Sequence, residues 1–328
     1  MAKGQKILLS GVKPTGRPHI GNYFGAMRQF VDLQDKFDSY VFIADYHALT
    51  TLQNAKELSE NIVDVALDYL AIGLDPKKVT LFKQSDVSQV MELGWIFNCI
   101  TTMPYLERAH AYKDAVAKGK REDINVGTFD YPMLMAADIL IQDADAVPVG
   151  ADQKQHVEFA RDTAEKFNRI FAESGNDVSR TVFKMPEPFI LEHVKVVPGI
   201  DGEKMSKSYG NIIPLFASDE EIKKLVMSIV TDSSSDVPKN VYAIHELFRD
   251  KKSLDALYEE KKGKYKDLKE ALIADITAFI APLRARREAL AKDRAAVLKI
   301  LKEGGEKARA RAEAKMKIVR EKVGVEIN

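Results

Sequence analysis

The 328-residue sequence contains one cysteine, Cys99, and no apolar run near the roughly 20 residues that a membrane-spanning helix requires. A single cysteine excludes an intrachain disulfide and a cysteine-ligated zinc or iron–sulfur site. The apolar stretch Ile7-Leu8-Leu9 is also too short for the core of a secretory signal peptide. We therefore expect a cytoplasmic protein without a membrane segment. With 45% hydrophobic residues, the chain can bury a sizeable core.

Net charge is also lacking, because 49 Lys and Arg residues balance 49 Asp and Glu residues. The balance is uneven along the chain: residues 261–328 hold 19 basic and 10 acidic side chains, whereas residues 1–260 hold 30 basic and 39 acidic ones. A basic segment of this kind can be an ordinary solvated helix face, or it can hold a polyanion such as a nucleic acid. The charge pattern alone leaves both interpretations open.

Strand-like and helix-like stretches alternate in the first half of the chain. Short apolar runs predict buried strands at 7–9, 40–44, 79–82 and 146–150. Longer stretches with apolar residues at helical spacing predict helices at 23–33, 55–74 and 152–167. This alternation predicts an α/β fold, a Rossmann-like doubly wound parallel sheet whose ligands bind beyond the carboxyl ends of the strands. A helical insertion is expected at about 105–143.

The alternation stops after Pro214, and the remaining sequence predicts consecutive helices. Apolar residues at helical spacing in 286–302 and 306–323 predict two helices separated by Gly304-Gly305. The sequence therefore predicts two domains, a Rossmann-like catalytic domain at 1–213 and a basic, all-α domain at 214–328.

Small residues and glycines follow the first predicted strand in the segment 10–23, which leads into a helix. Backbone N–H groups and a helix N-terminus in this arrangement can bind a phosphate. His19 and Asn22 would add neutral donors one helical turn apart. A turn that only caps the helix is the alternative interpretation.

Two lysines three residues apart distinguish the polar loop segment Lys204-Met205-Ser206-Lys207-Ser208. Ammonium groups with this spacing are suited to a pyrophosphate whose charge develops during a reaction. A solvated loop is the alternative, but a fixed pentapeptide arises by chance in a chain of this length at roughly one in ten thousand. The segment therefore predicts a phosphate-binding loop.

Asp138 ends the otherwise apolar run 131–138. Burial of a carboxylate among Met and Ala costs free energy unless it has a partner, so this side chain either reaches solvent or binds something. The pattern alone slightly favours a carboxylate that faces solvent at a helix end.

Together these segments resemble the motifs of class I aminoacyl-tRNA synthetases, with an HxGH-like segment at His19-Ile20-Gly21-Asn22 and a KMSKS loop at 204–208. Finer motifs resemble those of bacterial-type tryptophanyl-tRNA synthetases. They are Ser10-Gly11 with Pro14-Thr15-Gly16, Gly21-Asn22-Tyr23-Phe24-Gly25-Ala26, Ala44 to Thr50, Met135-Ala136-Ala137-Asp138, and Gly150 with Asp152-Gln153-Lys154-Gln155-His156. The resemblance covers residues 7–213 closely and the helical remainder more loosely.

The resemblance implies that L-tryptophan is activated with ATP and Mg²⁺ to tryptophanyl-adenylate and then transferred to the 3′ end of tRNA(Trp), and it implies a homodimer. It also implies roles for individual positions. The implied catalytic residues are His19, Asn22, Lys204, Lys207 and Lys113. The implied ATP-binding residues are Lys13, Pro14, Thr15, Gly21, Asn22, Gly150, Asp152, Lys204, Met205, Ser206, Lys207 and Ser208. The implied tryptophan-binding residues are Leu9, Ala44, His47, Tyr131, Met135, Asp138, Val147, Val149 and Gln153. No protein metal ligand is implied.

Tyrosyl-tRNA synthetases share the scaffold and are the nearest alternative. They usually have Gln at the position of Met135, and their Gly-x-Asp-Gln motif is not followed by Gln-His. Indole offers one N–H donor and no acceptor, so the carboxylate of Asp138, which only accepts, suits tryptophan. Both the motifs and this chemistry favour tryptophan.

Two other function classes are less favoured. A small-molecule adenylyltransferase would not account for the KMSKS loop together with a basic helical segment. A non-catalytic RNA-binding relative should lack His19, Lys204 or Lys207, and all three are present. The chain departs from the family pattern at Asn22, where the class motif has His, and at Lys13, where many bacterial relatives have Gln.

Overall fold

Five parallel strands form the centre of the computed structural model, which describes residues 5–119, 121–149, 154–172, 181–190, 197–231 and 237–327. The strands are β1 (Ile7–Val12), β2 (Asp38–Ile43), β3 (Val79–Lys83), β4 (Ala146–Val149) and β5 (Glu187–Ile190). They lie in the order β3-β2-β1-β4-β5, with every neighbouring pair parallel. The order changes direction between β1 and β4, which is where a doubly wound sheet binds ligands. The predicted α/β, Rossmann-like fold is confirmed.

Helices connect the strands and continue after them. The helices up to β4 are α1 (Ile20–Asn22), α2 (Arg28–Leu33), α3 (Asp45–Ala48), α4 (Ala55–Ile72), α5 (Gln89–Ile100), α6 (Met103–Leu106), α7 (His110–Lys118) and α8 (Val126–Ile141). A π-helical segment, Tyr23–Met27, joins α1 to α2. The later helices are α9 (Lys154–Phe171), α10 (Asp219–Met227), α11 (Lys239–His245), α12 (Lys251–Glu260), α13 (Tyr265–Ala291) and α14 (Arg294–Val323). None of them, in the described part of the chain, has the length and apolarity needed to cross a membrane.

Strand β5 was not predicted from the sequence. It is four residues long, contains Pro188, and begins with the charged Glu187. Among the described residues it pairs only with β4 and so forms an edge of the sheet. Because an edge strand tolerates proline and charge, its residues lack the continuous apolar pattern that identified β1 to β4.

The predicted helix break at Gly304-Gly305 is wrong, because α14 runs through both glycines. The break between α13 and α14 falls instead at 292–293. A Cβ on Gly304 would overlap the carbonyl oxygen of Leu81, and a Cβ on Gly305 would lie 2.7 Å from the Cβ of Asp86. The two glycines therefore allow the helix backbone to lie directly against β3 and the residues after it.

Helix α14 contributes to the same hydrophobic core as the sheet. Its residues Ala308, Ala312, Met316 and Val319 are fully buried and belong to the cluster that contains Phe97 of α5. The division at 213/214 stays a prediction, and the final helix of the predicted second domain shares its packing with the first.

Some of the basic residues of the C-terminal helices pair with acidic residues of the sheet-containing part. The ion pairs join Lys307 to Asp38, Arg311 and Lys315 to Asp143, Arg320 to Glu92, and Arg287 to Asp64 and Asp68. The more exposed of these pairs, such as Lys307 with Asp38, add little stability individually. The ion pairs show that some basic residues of the C-terminal helices are neutralised by acidic residues of the same molecule.

Candidate active site

A cavity of about 570 Å³ opens at the carboxyl ends of β1, β2 and β4. Seven of the nine predicted tryptophan-binding residues line it: Leu9, Ala44, His47, Tyr131, Met135, Val147 and Val149. Of the other two, Asp138 lies behind the wall, and Gln153 lies outside the described residues. We call this space the apolar cavity. It lies next to β1 and β4, between which the strand order changes direction, and this is where a doubly wound sheet is expected to bind a ligand.

The carboxylate of Asp138 is buried in a hydrogen-bonded network beneath the apolar cavity. Nε2 of His47 lies 3.0 Å from its Oδ2, and Nε2 of Gln84 donates to both carboxylate oxygens, at 3.0 and 2.9 Å. Burial raises the pKa of Asp138, and the hydrogen bond from His47 opposes that increase. The interpretation favoured by pattern alone, a carboxylate facing solvent, is wrong, because Asp138 is 4% exposed.

Gln84 belongs to this network and was missed by the sequence reasoning. Its Oε1 accepts from the backbone N–H groups of Tyr46 and His47, at 3.1 and 3.3 Å, while its amide binds Asp138. Gln84 follows directly on β3, and that position at a strand end was the signal that could have identified it. It links the residues after β2 to α8.

Tyr131 lines the apolar cavity beside His47, with the centres of the two rings 6.1 Å apart. Its hydroxyl makes a short hydrogen bond with Nε2 of His156, and burial raises the pKa of Tyr131 to about 12. The ammonium of Lys13 lies 6.0 Å from the centre of the Tyr131 ring. Desolvation by the surrounding walls lowers the pKa of Lys13. Lys13 therefore places a cation beside the polar end of the cavity.

A second cavity, of about 310 Å³, adjoins the first. Gly11, Val12 and Lys13 line both spaces, so the two cavities meet at the carboxyl end of β1. Four predicted ATP-binding residues line the second space, namely Lys13, Thr15, Asn22 and Lys207. Asp68 and Tyr69 of α4 form its other side. We call it the phosphate cavity because of the residues that converge there.

His19 and Asn22 cap α1 reciprocally. Nδ1 of His19 accepts from the backbone N–H of Asn22 at 3.2 Å, and Oδ1 of Asn22 accepts from the backbone N–H of His19 at 3.1 Å. Burial, and then the charge of Lys207, lower the pKa of His19 to about 4. Since Nδ1 is an acceptor, the neutral ring carries its proton on Nε2 and can donate from there. A Cβ on Gly21 would lie 2.8 Å from Nδ1, so glycine is needed beside this ring.

The loop lysine Lys207 reaches across to the first motif. Its Nζ donates to the carbonyl oxygens of Thr15 and Gly16, at 3.0 and 2.9 Å. Desolvation lowers the pKa of Lys207, and the charge of Asp68 opposes that decrease. The structure thus brings together two segments that are separated by almost 200 residues in the sequence.

Asn211 anchors the loop and was also missed by sequence reasoning. Its Oδ1 accepts from the backbone N–H of Ser206 at 2.7 Å, and its Nδ2 donates to Asp201 Oδ1 and to the Lys204 carbonyl, at 2.8 and 3.1 Å. Asn211 and Met205 are buried, whereas Lys204 is exposed. The buried residues hold the base of the loop and leave its lysines accessible.

Several predicted residues lie elsewhere. Lys113 is exposed on α7 and lines neither cavity. Pro14 is buried, and the hydroxyls of Ser206 and Ser208 are 2.8 Å apart within the loop. Gly150 and Asp152 lie outside the described residues.

Comparison with known proteins agrees with this geometry. Residues 1–289 match the family described as class I tRNA synthetases (W and Y). The chain is 47% identical to the tryptophan–tRNA ligase of Fusobacterium nucleatum, with 98% of each chain covered. It is 44% identical to that of Campylobacter jejuni strain RM1221, over 97% of this chain and 99% of the relative.

Solved structures give the same result. The crystal structure of Campylobacter jejuni tryptophanyl-tRNA synthetase complexed with ADP and tryptophan matches with a TM-score of 0.88 and 42% identity, over 97% of this chain and 99% of that one. A tyrosyl-tRNA synthetase from Archaeoglobus fulgidus shares the fold, with a TM-score of 0.64 and 22% identity over 87% of this chain and 91% of that one. The extent of the family match and the identity to the curated relatives together establish that this chain belongs to the class I tRNA synthetases of the tryptophan and tyrosine family.

Proposed function

We propose that this protein is a tryptophan–tRNA ligase, which activates L-tryptophan with ATP and transfers it to tRNA(Trp). The observation that carries the proposal is the junction of the apolar cavity with the phosphate cavity at Gly11, Val12 and Lys13. Adenylate formation needs an amino-acid carboxylate next to the α-phosphate of ATP. An apolar cavity for the side chain that adjoins a cavity for the phosphates would hold the two groups next to each other. The tryptophan–tRNA ligase names of the relatives support the same assignment.

Tryptophan specificity would come from apolar walls over a buried acceptor. Met135, Val147 and Val149 form walls suited to an indole ring. In the described part of the chain, Oδ1 of Asp138 receives one donor, from Gln84, which leaves acceptor capacity for an indole N–H. Phenylalanine could not supply that donor, and a site with unpaired buried polar groups rejects such an analogue strongly.

The first step needs no general base, because the tryptophan carboxylate is already an anion. Its oxygen attacks the α-phosphorus in line, the bond to the β-phosphate oxygen breaks, and pyrophosphate leaves. Lys204 and Lys207 would stabilise the charge that develops on the leaving pyrophosphate, and neutral His19 would donate a hydrogen bond from Nε2. In the second step the 3′-terminal ribose hydroxyl of the tRNA attacks the acyl carbon and AMP leaves.

Mg²⁺ enters this proposal as part of the substrate MgATP. Among the described residues, no group of three His, Cys, Asp or Glu side chains is arranged to hold a metal ion. The ion would therefore be carried by the phosphate oxygens, where it neutralises negative charge. Lys13 and Lys207 are the cations that this chain places around the same space.

The tRNA would rest on the C-terminal helices. Several cations of α14 face the sheet-containing part and pair with its acidic residues, so they are not available to phosphates. Lys251, Lys252 and Lys264, in contrast, are exposed around α12 and the start of α13. Arg294, Lys302 and Lys317 of α14 are exposed as well, so the C-terminal helices together offer a basic surface for tRNA.

A homodimer is supported by an apolar stripe on α5. Met91 and Trp95 are 51% and 70% exposed, and they lie with exposed Cys99 at intervals of four residues on one helix face. Met103, at the start of α6, is 62% exposed. Contiguous exposed apolar side chains mark an interaction surface, and a second copy of the chain would cover this one.

Sedimentation should give a dimer for the wild type and a monomer for Trp95→Arg. The control variant Ile170→Arg, exposed on α9, should stay dimeric.

Amino-acid-dependent ATP–pyrophosphate exchange tests the activity. Exchange should occur with tryptophan and be absent, or far slower, with the other nineteen amino acids, and charging should follow when tRNA(Trp) is added. Exchange that depended on tyrosine would establish tyrosyl specificity instead. An absence of exchange with every amino acid would refute the proposed function.

A further inference from the structure

Asp68 is an unexpected residue in the phosphate cavity. Among the described residues that line this space it is the one acidic side chain, and it is only 3% exposed. Asp68 and Lys207 line the same cavity, and the charge of each shifts the pKa of the other. A carboxylate in this position would repel a triphosphate and attract the lysine that the triphosphate needs.

Arg287 of α13 neutralises this carboxylate. Its Nε donates to Oδ1 of Asp68 at 2.5 Å, and its NH2 group donates to Oδ1 of Asp64 at 2.7 Å. Burial raises the pKa of Asp68 to about 6, and the charge of Arg287 opposes that increase. Both carboxylates belong to α4, so one guanidinium ties the C-terminal helices to this wall of the cavity.

The same helix also contacts the segment that follows the loop. The guanidinium of Arg287 lies 5.4 Å from the centre of the Phe216 ring. One turn earlier, Arg284 donates to the Ala217 carbonyl and, at 2.7 Å, to Asp219. Helix α13 therefore joins the end of the loop segment to α4, directly behind the phosphate cavity.

We propose that Arg287 is a positioning residue for ATP, which neutralises Asp68 and thereby leaves Lys207 for the triphosphate. The inference rests on the proposed function and adds to it. The nucleotide site is complete only when α13 of the C-terminal segment is docked on α4. Arg287 itself lines neither cavity, so it acts through Asp68.

The test compares ATP and tryptophan binding to the full-length protein by calorimetry. Arg287→Met keeps most of the side-chain length without the charge, and it should weaken ATP binding at least tenfold while tryptophan affinity changes less than twofold. Arg287→Lys should keep ATP affinity within about threefold. The neighbouring exposed Arg286→Met is the matched control and should bind both ligands normally.

The second substitution identifies the cause. Asp68→Asn added to Arg287→Met should restore ATP affinity to within about threefold of wild type, because it removes the charge that Arg287 had neutralised. Asp68→Asn alone should bind ATP at least as well as wild type. Weaker ATP binding by that single variant, or no restoration in the double variant, would overturn the proposal even if Arg287→Met failed to fold.

A pH series separates this role from simple loss of structure. The charged groups facing Asp68 are Arg287, Asp64 and Lys207, and neighbouring Tyr69 stays neutral because burial raises its pKa. Protonation of Asp68 removes the repulsion, so the ratio of variant to wild-type Kd for ATP should fall towards one from pH 8 to 5.5. The ratio cancels the protonation of ATP itself.

Failure of this inference and failure of the proposed function are distinguishable. Wild-type tryptophan-dependent exchange with normal ATP binding by Arg287→Met would overturn only the role of Arg287. ATP binding that depends on Arg287 and Asp68, without exchange in the wild type, would overturn only the proposed activity.

Discussion

Nε2 of His47 lies 3.0 Å from Oδ2 of Asp138, beneath the wall of the apolar cavity. The two residues are 91 positions apart and belong to α3 and α8. Gln84, at the end of β3, binds the same carboxylate and the backbone of His47. The base of the apolar cavity is therefore one connected network built from three segments that the sheet brings together.

Replacement of Asp138 should affect both stability and selectivity. Asp138→Ala leaves the donors of His47 and Gln84 without their acceptor, which should cost about 1–3 kcal/mol for each unsatisfied group. The ratio of kcat/KM for tryptophan over phenylalanine should fall at least tenfold. Thermal unfolding and exchange kinetics measure the two effects. Gln84→Met is the control for a disturbed network. If Asp138→Ala kept the wild-type ratio of kcat/KM for tryptophan over phenylalanine, a role of Asp138 in indole recognition would be contradicted.

The loop lysines should act on adenylate formation and not on tryptophan binding. Lys204→Met and Lys207→Met should each lower the exchange rate by two orders of magnitude or more, because charge stabilisation at the leaving pyrophosphate is lost. Tryptophan affinity should change less than twofold. Lys223→Met, an exposed lysine on α10, serves as the control. Normal exchange in either loop variant would rule out its proposed role.

His19 should make the folded protein less stable as the pH falls. Its pKa is lowered from an ordinary value of 6.5 to about 4, so the unfolded chain binds the proton first. The contribution of neutral His19 to the free energy of unfolding is complete above pH 6.5 and is lost as the pH falls towards 4. The total loss is about 3 kcal/mol. His19→Gln should reduce the slope of Tm against pH in this window. His110→Gln, exposed on α7, should retain the wild-type slope, and an equal slope in all three proteins would contradict the assignment.

Helix α14 should be essential to the stability of the sheet-containing core. Met316→Ala removes a fully buried side chain and should lower the free energy of unfolding by about 2–5 kcal/mol. Ile318→Ala, 44% exposed two residues later, should change it by no more than about 0.5 kcal/mol. Denaturant unfolding compares them. Equal stabilities would mean that α14 does not pack on this core.

Lys13 lies where the two cavities meet, and its substitution tests what the charge does there. Lys13→Gln keeps a polar donor and should retain exchange activity within about tenfold. Lys13→Glu places an anion beside the triphosphate and should raise the KM for ATP at least tenfold. Lys36→Glu, a charge reversal at an exposed position after α2, should leave the KM values for ATP and for tryptophan unchanged. An unaffected Lys13→Glu enzyme would show that Lys13 does not face the phosphates.

The amino-acid sequence by itself determined the fold class and the segments that carry the chemistry. Continuous apolar runs identified β1 to β4, because strands covered on both faces have few polar residues. His19, Asn22, Lys204 and Lys207 were identifiable because their local spacing is unusual. Most walls of the apolar cavity were identifiable because the motifs that contain them resemble those of a known family.

Only the tertiary structure decided which distant residues meet. Asp68 and Arg287 have no local pattern of their own, since their roles depend on partners far away in the sequence. Gln84 is marked in the sequence only by its position after a strand, and its partner Asp138 is set by the fold. The passage of α14 through Gly304 and Gly305 likewise depends on the surface of β3 against which it packs. The balance of charge is the clearest case: its asymmetry is visible in the sequence, but ion pairing between the C-terminal helices and the acidic part of the chain is a property of the folded molecule. Local interactions leave a readable pattern in the sequence, whereas contacts between distant segments exist only after the chain has folded.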